Sequence, residues 1–355
     1  MIMTLRYFGE TDPIPLKYIR QIPGVKGVVS TLYDTTPGEV WKREAVHRLK
    51  TNIEEAGLSL SGIESVNVHD AIKMGSSDRD MYIENYIKSL EALGEEGVDM
   101  VCYNFMPVFD WTRTDLAKMR EDGSTVLSYR QELIDNVDPE KLFENVNKNS
   151  NGLVLPGWEP ERIDQIKKLF EQYRDVDNEK LFQNLVYFLR AIMPVCEKYN
   201  IKMAIHPDDP AWSVFGLPRI ISSKETLVRM LEAVDHPCNG ITLCTGSLSS
   251  NTDNDVCDII PAMKGRIYFA HVRNIRQYGN RNFDEAAHLS ADGSLDMYKI
   301  MKTLYQYGFD GVIRPDHGRA VWGEGGMPGY GLYDRAMGAC YLNGIWESLE
   351  KSIIR

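Results

Sequence analysis

The sequence contains little cysteine, carries no excess of basic charge and lacks a long apolar run. Six cysteines in 355 residues, none in CxxC spacing, exclude a disulfide scaffold and favour a reducing compartment. A formal net charge of −11 disfavours nucleic-acid binding, because an acidic surface repels phosphate backbones. The N-terminal residues lack a signal-peptide pattern, and the best apolar stretch, 186–195, is interrupted by Arg190. We therefore expect a cytoplasmic protein that binds neither nucleic acid nor a membrane.

The remaining composition is typical of a globular protein, with 43% hydrophobic and 26% charged residues. Short runs of apolar and β-branched residues, bounded by turn-forming residues, predict eight strands at 5–8, 25–32, 58–66, 98–105, 202–206, 240–245, 267–272 and 311–316. Helical spacing of apolar residues predicts helices at 40–56, 80–96, 181–199, 224–234, 295–307 and 333–354. Ser223 and Ser294 are placed to cap two of these helices.

Eight strands with helices between them indicate the α/β class and a (β/α)8 TIM barrel, formed as one domain over residues 1–355. A doubly wound open sheet would show the same local pattern. It is disfavoured because no GxGxxG sequence follows the first predicted strand.

One long segment, 110–178, interrupts the alternation between the fourth and fifth strands. It is polar, contains Pro139, Pro156 and Pro160, and is too long for an ordinary connection. We predict a partly helical insertion that serves as a lid or an oligomer contact. A helical decoration without a function is the alternative.

Potential metal ligands follow four consecutive predicted strands. They are His206, Cys244, His271 and Asp316. Each has an ordinary structural explanation on its own, but a barrel gathers the carboxyl ends of its strands into one ring. Four such residues at equivalent positions therefore predict a single metal site. Zn²⁺ and Fe²⁺ suit this mixed set, and Mn²⁺ does if substrate oxygens complete its coordination.

Further candidates lie near the same end of the predicted barrel. Glu64 and Asn104, near the ends of the third and fourth strands, could bind a polyol or could make ordinary loop contacts. The glycine-rich segment 322–333 carries Tyr330 and Tyr333, which predicts a closing loop that delivers a phenol. A plain flexible connection to the last helix is the alternative.

Long motifs along the whole chain resemble the mannonate dehydratase family, whose barrel is similar to the xylose-isomerase-like barrels. They are MTLRYFG, GIESVNVHDAIKMG, YNFMPVFDWTRTDL, MAIHPDDP, GLPRII, LCTGS, YFAHVRN, RPDHG and GYGLYDRAMG. The resemblance implies dehydration of D-mannonate to 2-keto-3-deoxy-D-gluconate, with Mn²⁺ or Fe²⁺ required. It also implies that the four strand-end residues are the metal ligands and that the catalytic tyrosine is Tyr330 rather than Tyr333.

Loss of water across C2 and C3 of a sugar acid needs a base at C2 and an acid at the C3 hydroxyl. Tyr330 and His317 are the candidates for these roles, and Asp208 is predicted to orient one of them. Arg273 is predicted to clamp the substrate carboxylate, because its planar fork suits that partner. Asn104 and Tyr333 are predicted to contact the substrate.

Three other functions are compatible with parts of this pattern. A divalent-metal sugar isomerase would use the same barrel but would release no water. A metal-dependent apurinic endonuclease would need more ligands and a basic face. A binding protein with a structural metal would leave the glycine-rich loop unexplained. The insertion and the acidic surface are compatible with a homodimer.

Overall fold

Eight parallel strands close into a barrel in the computed structural model, which describes residues 1–135 and 163–352. They are β1 (Ile2–Arg6), β2 (Gly27–Ser30), β3 (Ser59–Glu64), β4 (Met100–Tyr103), β7 (Lys202–Ile205), β8 (Asn239–Cys244), β9 (Ile267–Val272) and β12 (Val312–Pro315). Neighbouring strands follow this order, and β1 pairs with β12 to close the ring. The predicted (β/α)8 barrel is therefore confirmed, and the open sheet is excluded.

The barrel strands are apolar because both of their faces are covered. Every residue of β2, β4, β8 and β12 is buried. A small cluster that includes Val29, Phe269 and Val312 is separate from the large cluster that contains most other buried apolar residues. Strands buried on both faces read as continuous apolar runs, which explains why they were visible in the sequence.

Helices follow most of the strands. They are α1 (Leu16–Ile19), α2 (Arg43–Glu55), α3 (Asp70–Met74), α4 (Arg79–Glu95), α5 (Ile163–Tyr173), α6 (Asn178–Tyr199), α7 (Lys224–Ala233), α8 (Thr245–Ser250), α9 (Val256–Ala262), α10 (Met297–Gln306) and α11 (Leu332–Ser352). Within residues 1–135 and 163–352, no helix combines the length and apolar character needed to cross a membrane.

One of the two predicted helix caps is confirmed. Ser223 caps α7 in a reciprocal capping box with Thr226. The cap of α10 is Asp296 rather than Ser294, since the Asp296 carboxylate accepts from the backbone N–H of Lys299 at 2.9 Å. The Ser294 hydroxyl instead accepts from the backbone N–H of Gln277.

A second, antiparallel sheet lies outside the barrel ring. Its strands are β5 (Asp115–Met119), β6 (Thr125–Tyr129), β10 (Ile275–Gly279) and β11 (Asn282–Glu285), in the order β10-β11-β6-β5. The predicted insertion therefore supplies a β-hairpin as well as the helix α5, while its residues 136–162 lie outside the described part of the chain. The hairpin was not predicted, because β6 finds its partner β11 more than 150 residues away. The predicted lid or oligomer role of the insertion stays a prediction.

Candidate active site

A cavity of about 400 Å³ opens at the carboxyl ends of the barrel strands. Its lining includes His206, His271, Asp316, His317, Tyr330, Asn104, Asp209, Glu64, Arg6 and Arg314. Most of these residues end a strand or lie in the loop that follows one, which is where barrel enzymes carry their active sites.

The four predicted metal ligands converge beside this cavity, and we refer to His206, Cys244, His271 and Asp316 as the strand-end cluster. One ligand atom from each of the first three lies within 4.8 Å of the other two. The Asp316 Oδ2 atom is 3.7 Å from the Cys244 sulphur and 3.9 Å from His271 Nδ1. The strands β7, β8, β9 and β12 thus bring together residues that are up to 110 positions apart in the sequence.

The strand-end cluster has the chemistry of a metal site. Both ring nitrogens of His271 are buried without a hydrogen-bond partner among the described residues. Burial by itself would raise the pKa of Cys244, but the positive charges of Arg273 and His206 hold this pKa well below its usual value. A thiolate, two imidazoles and a carboxylate form a donor set that fits a divalent transition metal.

A second group, Glu64, Cys102 and His271, also has ligand atoms within 4.8 Å of one another. Burial, followed by the nearby charge of Glu64, raises the pKa of Cys102 well above its usual value. A protonated thiol is a poor metal ligand, so the strand-end cluster is the better candidate.

Tyr330 and His317 form a hydrogen-bonded pair on the cavity wall. The Tyr330 hydroxyl lies 3.0 Å from His317 Nε2, and the two rings meet edge to face. Gly329, at φ +77°, packs against this pair, and a Cβ there would lie 2.8 Å from Leu127 Cδ1 and 3.3 Å from the His317 side chain. Burial raises the pKa of Tyr330 above its usual value, so its phenol is protonated at neutral pH. The predicted loop therefore does place a phenol in the cavity.

Tyr333 is not among the residues that line the cavity. Its side chain is 44% exposed and packs against Trp322 at 5.4 Å between ring centroids. This position argues against the predicted substrate contact, because Tyr333 lies in the first turn of α11 and outside the cavity lining. Asn104 does line the cavity, where its Oδ1 atom accepts from the backbone N–H of Met106.

Arg273 is fully buried, and its guanidinium is already occupied by protein carboxylates. It donates to Asp209 at 2.8 Å and to Glu285 at 2.6 Å, and its Nε atom is 3.0 Å from Asp316 Oδ2. This geometry argues against the predicted clamp on the substrate carboxylate. Arg6 and Arg314 are the arginines that line the cavity in the described part of the chain.

Asp208 also differs from its predicted role. It is buried, and its Oδ2 atom accepts from the backbone N–H of Ile221 at 2.7 Å. Burial raises the pKa of Asp208, and the side chain is not among those lining the cavity. Asp208 therefore holds two loops together, and its neighbour Asp209 is the residue that lines the cavity.

Sequence reasoning missed a buried network of two arginines and two carboxylates behind the cavity. Besides Arg273, Arg113 pairs with Asp209 at 2.8 Å and with Glu285 at 2.7 Å. Burial would raise the pKa of Glu285, but Arg273 and Arg113 bring it down to about 2. Buried charges of this kind are tolerated only when they are paired. Glu285 and Arg113 carry no strand-end signal in the sequence.

Glu64 links the two cavity-lining arginines. Its carboxylate pairs with Arg314 at 3.0 Å and with Arg6 at 3.1 Å, and Arg314 also lies 2.8 Å from Asp316. Glu64 Oε2 is 3.6 Å from His271 Nε2, on the other side of the ring from Asp316. The floor of the cavity is thus fixed by ion pairs between strands, which gives the site a rigid base.

The family model for D-mannonate dehydratase matches residues 1–355. The chain belongs to the D-mannonate dehydratase family. The mannonate dehydratase of Brachyspira hyodysenteriae is 65% identical over 352 residues, which cover 99% of each chain. The crystal structure of mannonate dehydratase from Streptococcus suis serotype 2 matches with a TM-score of 0.90 and 43% identity, covering 99% of this chain and 96% of that one. A xylose isomerase domain protein from Planctomyces limnophilus, at 11% identity and a TM-score of 0.57 over 99% of this chain and 98% of its own, shares the fold alone.

The family membership confirms the predicted activity. The enzyme is a hydro-lyase that converts D-mannonate to 2-keto-3-deoxy-D-gluconate and water. The sugar isomerase, the endonuclease and the binding protein are therefore not supported as functions of this chain. The reaction requires the site to bind a sugar acid and to move one proton from C2 to the departing hydroxyl.

Proposed function

We propose that the strand-end cluster binds one Mn²⁺ or Fe²⁺ ion and that Tyr330 and His317 carry out the proton transfers of mannonate dehydration. The observation that supports this most directly is the meeting of both groups at one cavity. When bound, such an ion supplies the Lewis acidity that stabilises negative charge developing next to the substrate carboxylate.

The ligands favour a transition metal over a hard cation. Cys244 contributes a thiolate and the two histidines contribute imidazoles, whereas Mg²⁺ prefers oxygen ligands. Because the cluster lies at the open end of the barrel, positions on the ion would remain available for the substrate.

Tyr330 and His317 act as one unit in this proposal. A free phenolate is not the base, because burial keeps Tyr330 protonated. Instead, Tyr330 receives the C2 proton while its own proton passes to His317 Nε2, 3.0 Å away. The reverse transfer delivers a proton to the departing C3 hydroxyl, which leaves as water. One proton leaves C2 and one joins the hydroxyl, so both residues return to their starting states.

Metal dependence is the test of this proposal. We expect metal-stripped protein to form no 2-keto-3-deoxy acid from D-mannonate, and Mn²⁺ or Fe²⁺ to restore product formation, whereas Mg²⁺ should not. A colorimetric assay of the product after resupply with Mn²⁺, Fe²⁺, Zn²⁺ or Mg²⁺ measures this. Full activity in the stripped protein, or equal activation by Mg²⁺, would contradict the proposed ligand chemistry.

We also propose that the enzyme acts in cytoplasmic uronate degradation. All six cysteines are free, which suits a reducing compartment.

We further propose that the enzyme is a homodimer. Trp322 is 76% exposed and packs against Tyr333, which is 44% exposed, and Met337, one turn further along α11, is 42% exposed. Such clustered apolar side chains are typical of interfaces. Light scattering should give a mass near twice the 40.5 kDa of one chain. A mass of one chain at micromolar concentration would contradict the dimer.

A further inference from the structure

We propose that Glu285 is a positioning residue that orients His317, so that the second sheet forms part of the catalytic apparatus. This inference rests on the proposed roles of Tyr330 and His317. It assigns a function to a carboxylate that belongs neither to the barrel strands nor to the strand-end cluster.

The three groups lie in the order Tyr330, His317, Glu285. His317 Nε2 faces the Tyr330 hydroxyl at 3.0 Å, and Nδ1, on the other side of the ring, is 3.6 Å from Glu285 Oε1. Glu285 is the last residue of β11 and is 1% exposed. Water therefore does not compete for its carboxylate.

The hydrogen bonding of His317 calls for an acceptor at Nδ1. If Nε2 accepts the Tyr330 proton, the neutral ring must carry its own proton on Nδ1. This nitrogen is buried and has no hydrogen-bond partner within the described residues, although buried N–H groups are normally paired. The 3.6 Å separation exceeds a hydrogen bond by about 0.6 Å, and catalytic contacts commonly tighten when the substrate binds.

The second sheet and the buried arginines hold Glu285 in place. Strand β11 pairs with β6 of the insertion, through Phe283 with Tyr129. Arg113, from the start of the same insertion, and Arg273 both donate to the Glu285 carboxylate. Because both arginines pair with Glu285 and with Asp209, the Glu285 carboxylate can stay ionised away from water.

A fixed carboxylate at Nδ1 would serve His317 in two ways. It selects the ring form whose Nε2 can accept a proton, and it holds the ring in the orientation in which Nε2 faces the Tyr330 hydroxyl. A buried aspartate performs both tasks for the histidine of serine proteases, and the same physical reasoning applies here.

Glu285→Gln tests the inference, with Asp284→Asn as the matched control. Asp284 is the preceding residue of β11, and its carboxylate pairs with Lys118 and Arg130 instead of His317. We expect E285Q to lower kcat on the order of 100-fold, with KM and metal content unchanged. D284N should keep kcat close to that of the unmodified enzyme, because the buried Asp284 is not among the residues that line the cavity and its carboxylate pairs with Lys118 and Arg130.

A double variant shows whether Glu285 acts through His317. If it does, adding E285Q to His317→Asn should cause no further loss of kcat. Additive losses, or a normal kcat in E285Q while H317N is slow, would overturn the role of Glu285 alone. Normal kcat in H317N would instead overturn the proposed proton transfer.

A measurement on the unmodified protein covers the case in which E285Q does not fold. Nitrogen NMR of ¹⁵N-histidine protein loaded with diamagnetic Zn²⁺ reports which ring nitrogen of His317 carries the proton, with H317N identifying the signals. We expect the proton on Nδ1. A proton on Nε2 would overturn the inference.

Discussion

Tyr330→Phe should lower the turnover of D-mannonate by about 100-fold or more while leaving the metal content unchanged. The substitution removes only the hydroxyl that lies 3.0 Å from His317 Nε2. The phenyl ring can keep its edge-to-face contact with Phe8, at 4.9 Å between centroids. Because the ring and its packing remain, a loss of turnover would be due to the missing hydroxyl proton. It would not be due to a change in the structure of the loop.

Tyr333→Phe is the matched control for this variant. The two tyrosines are three residues apart, but Tyr333 lies in the first turn of α11, is 44% exposed and packs against Trp322 outside the cavity. Turnover of Y333F should stay close to that of the unmodified enzyme. Steady-state assays of both variants, with metal analysis of each sample, make the comparison. Near-normal turnover of Y330F would remove Tyr330 from the mechanism.

Cys244→Ser should release the metal. Substitution of a residue that hydrogen-bonds to a metal ligand commonly weakens metal affinity about 10–100-fold. Loss of the thiolate ligand itself should therefore weaken the affinity by more than roughly 100-fold. The sulphur belongs to the strand-end cluster, and its negative charge offsets the nearby Arg273. Metal content after gel filtration, followed by titration calorimetry with Mn²⁺, measures the effect. Turnover should fall together with metal content.

Substitutions of two other cysteines serve as controls for the Cys244→Ser variant. Cys238 is buried and directly precedes β8, at the opposite end of this strand from Cys244. The variant Cys238→Ser should therefore keep the metal. Cys102→Ser probes the alternative group with Glu64 and His271. Retention of metal in C244S combined with its loss in C102S would move the proposed site to that group.

The barrel could be predicted from the sequence because its strands are short, apolar and buried on both faces. The prediction of 267–272 coincides with β9, Ile267–Val272. The first strand is less accurate, since 5–8 was predicted and Ile2–Arg6 is observed. The position of β1 is set by its pairing with β12, Ile2 with Val312, which leaves no trace in the local sequence.

The same difference between local sequence signals and long-range contacts explains how much of the candidate site could be predicted. The convergence of His206, Cys244, His271 and Asp316 could be predicted because each lies at or just after the end of a recognisable strand, and a closed barrel brings these strand ends together. The pairing of Arg113 with Glu285 spans 172 positions, and neither residue stands at the end of a barrel strand. The sequence position of Arg273 shows that it is near the cavity but not that three protein carboxylates surround it, which argues against its predicted contact with the substrate.

Closure of the barrel through β1 and β12 also determines when the enzyme can mature in the cell. The ribosome must pass residue 315 before β1 gains its second neighbour, which takes roughly 15–60 s at the usual rates of synthesis. Throughout that time one edge of β1 is open to pairing with other nascent chains. Asp316 emerges last among the proposed ligands, so the full ligand set can assemble only after residue 316 has been synthesised.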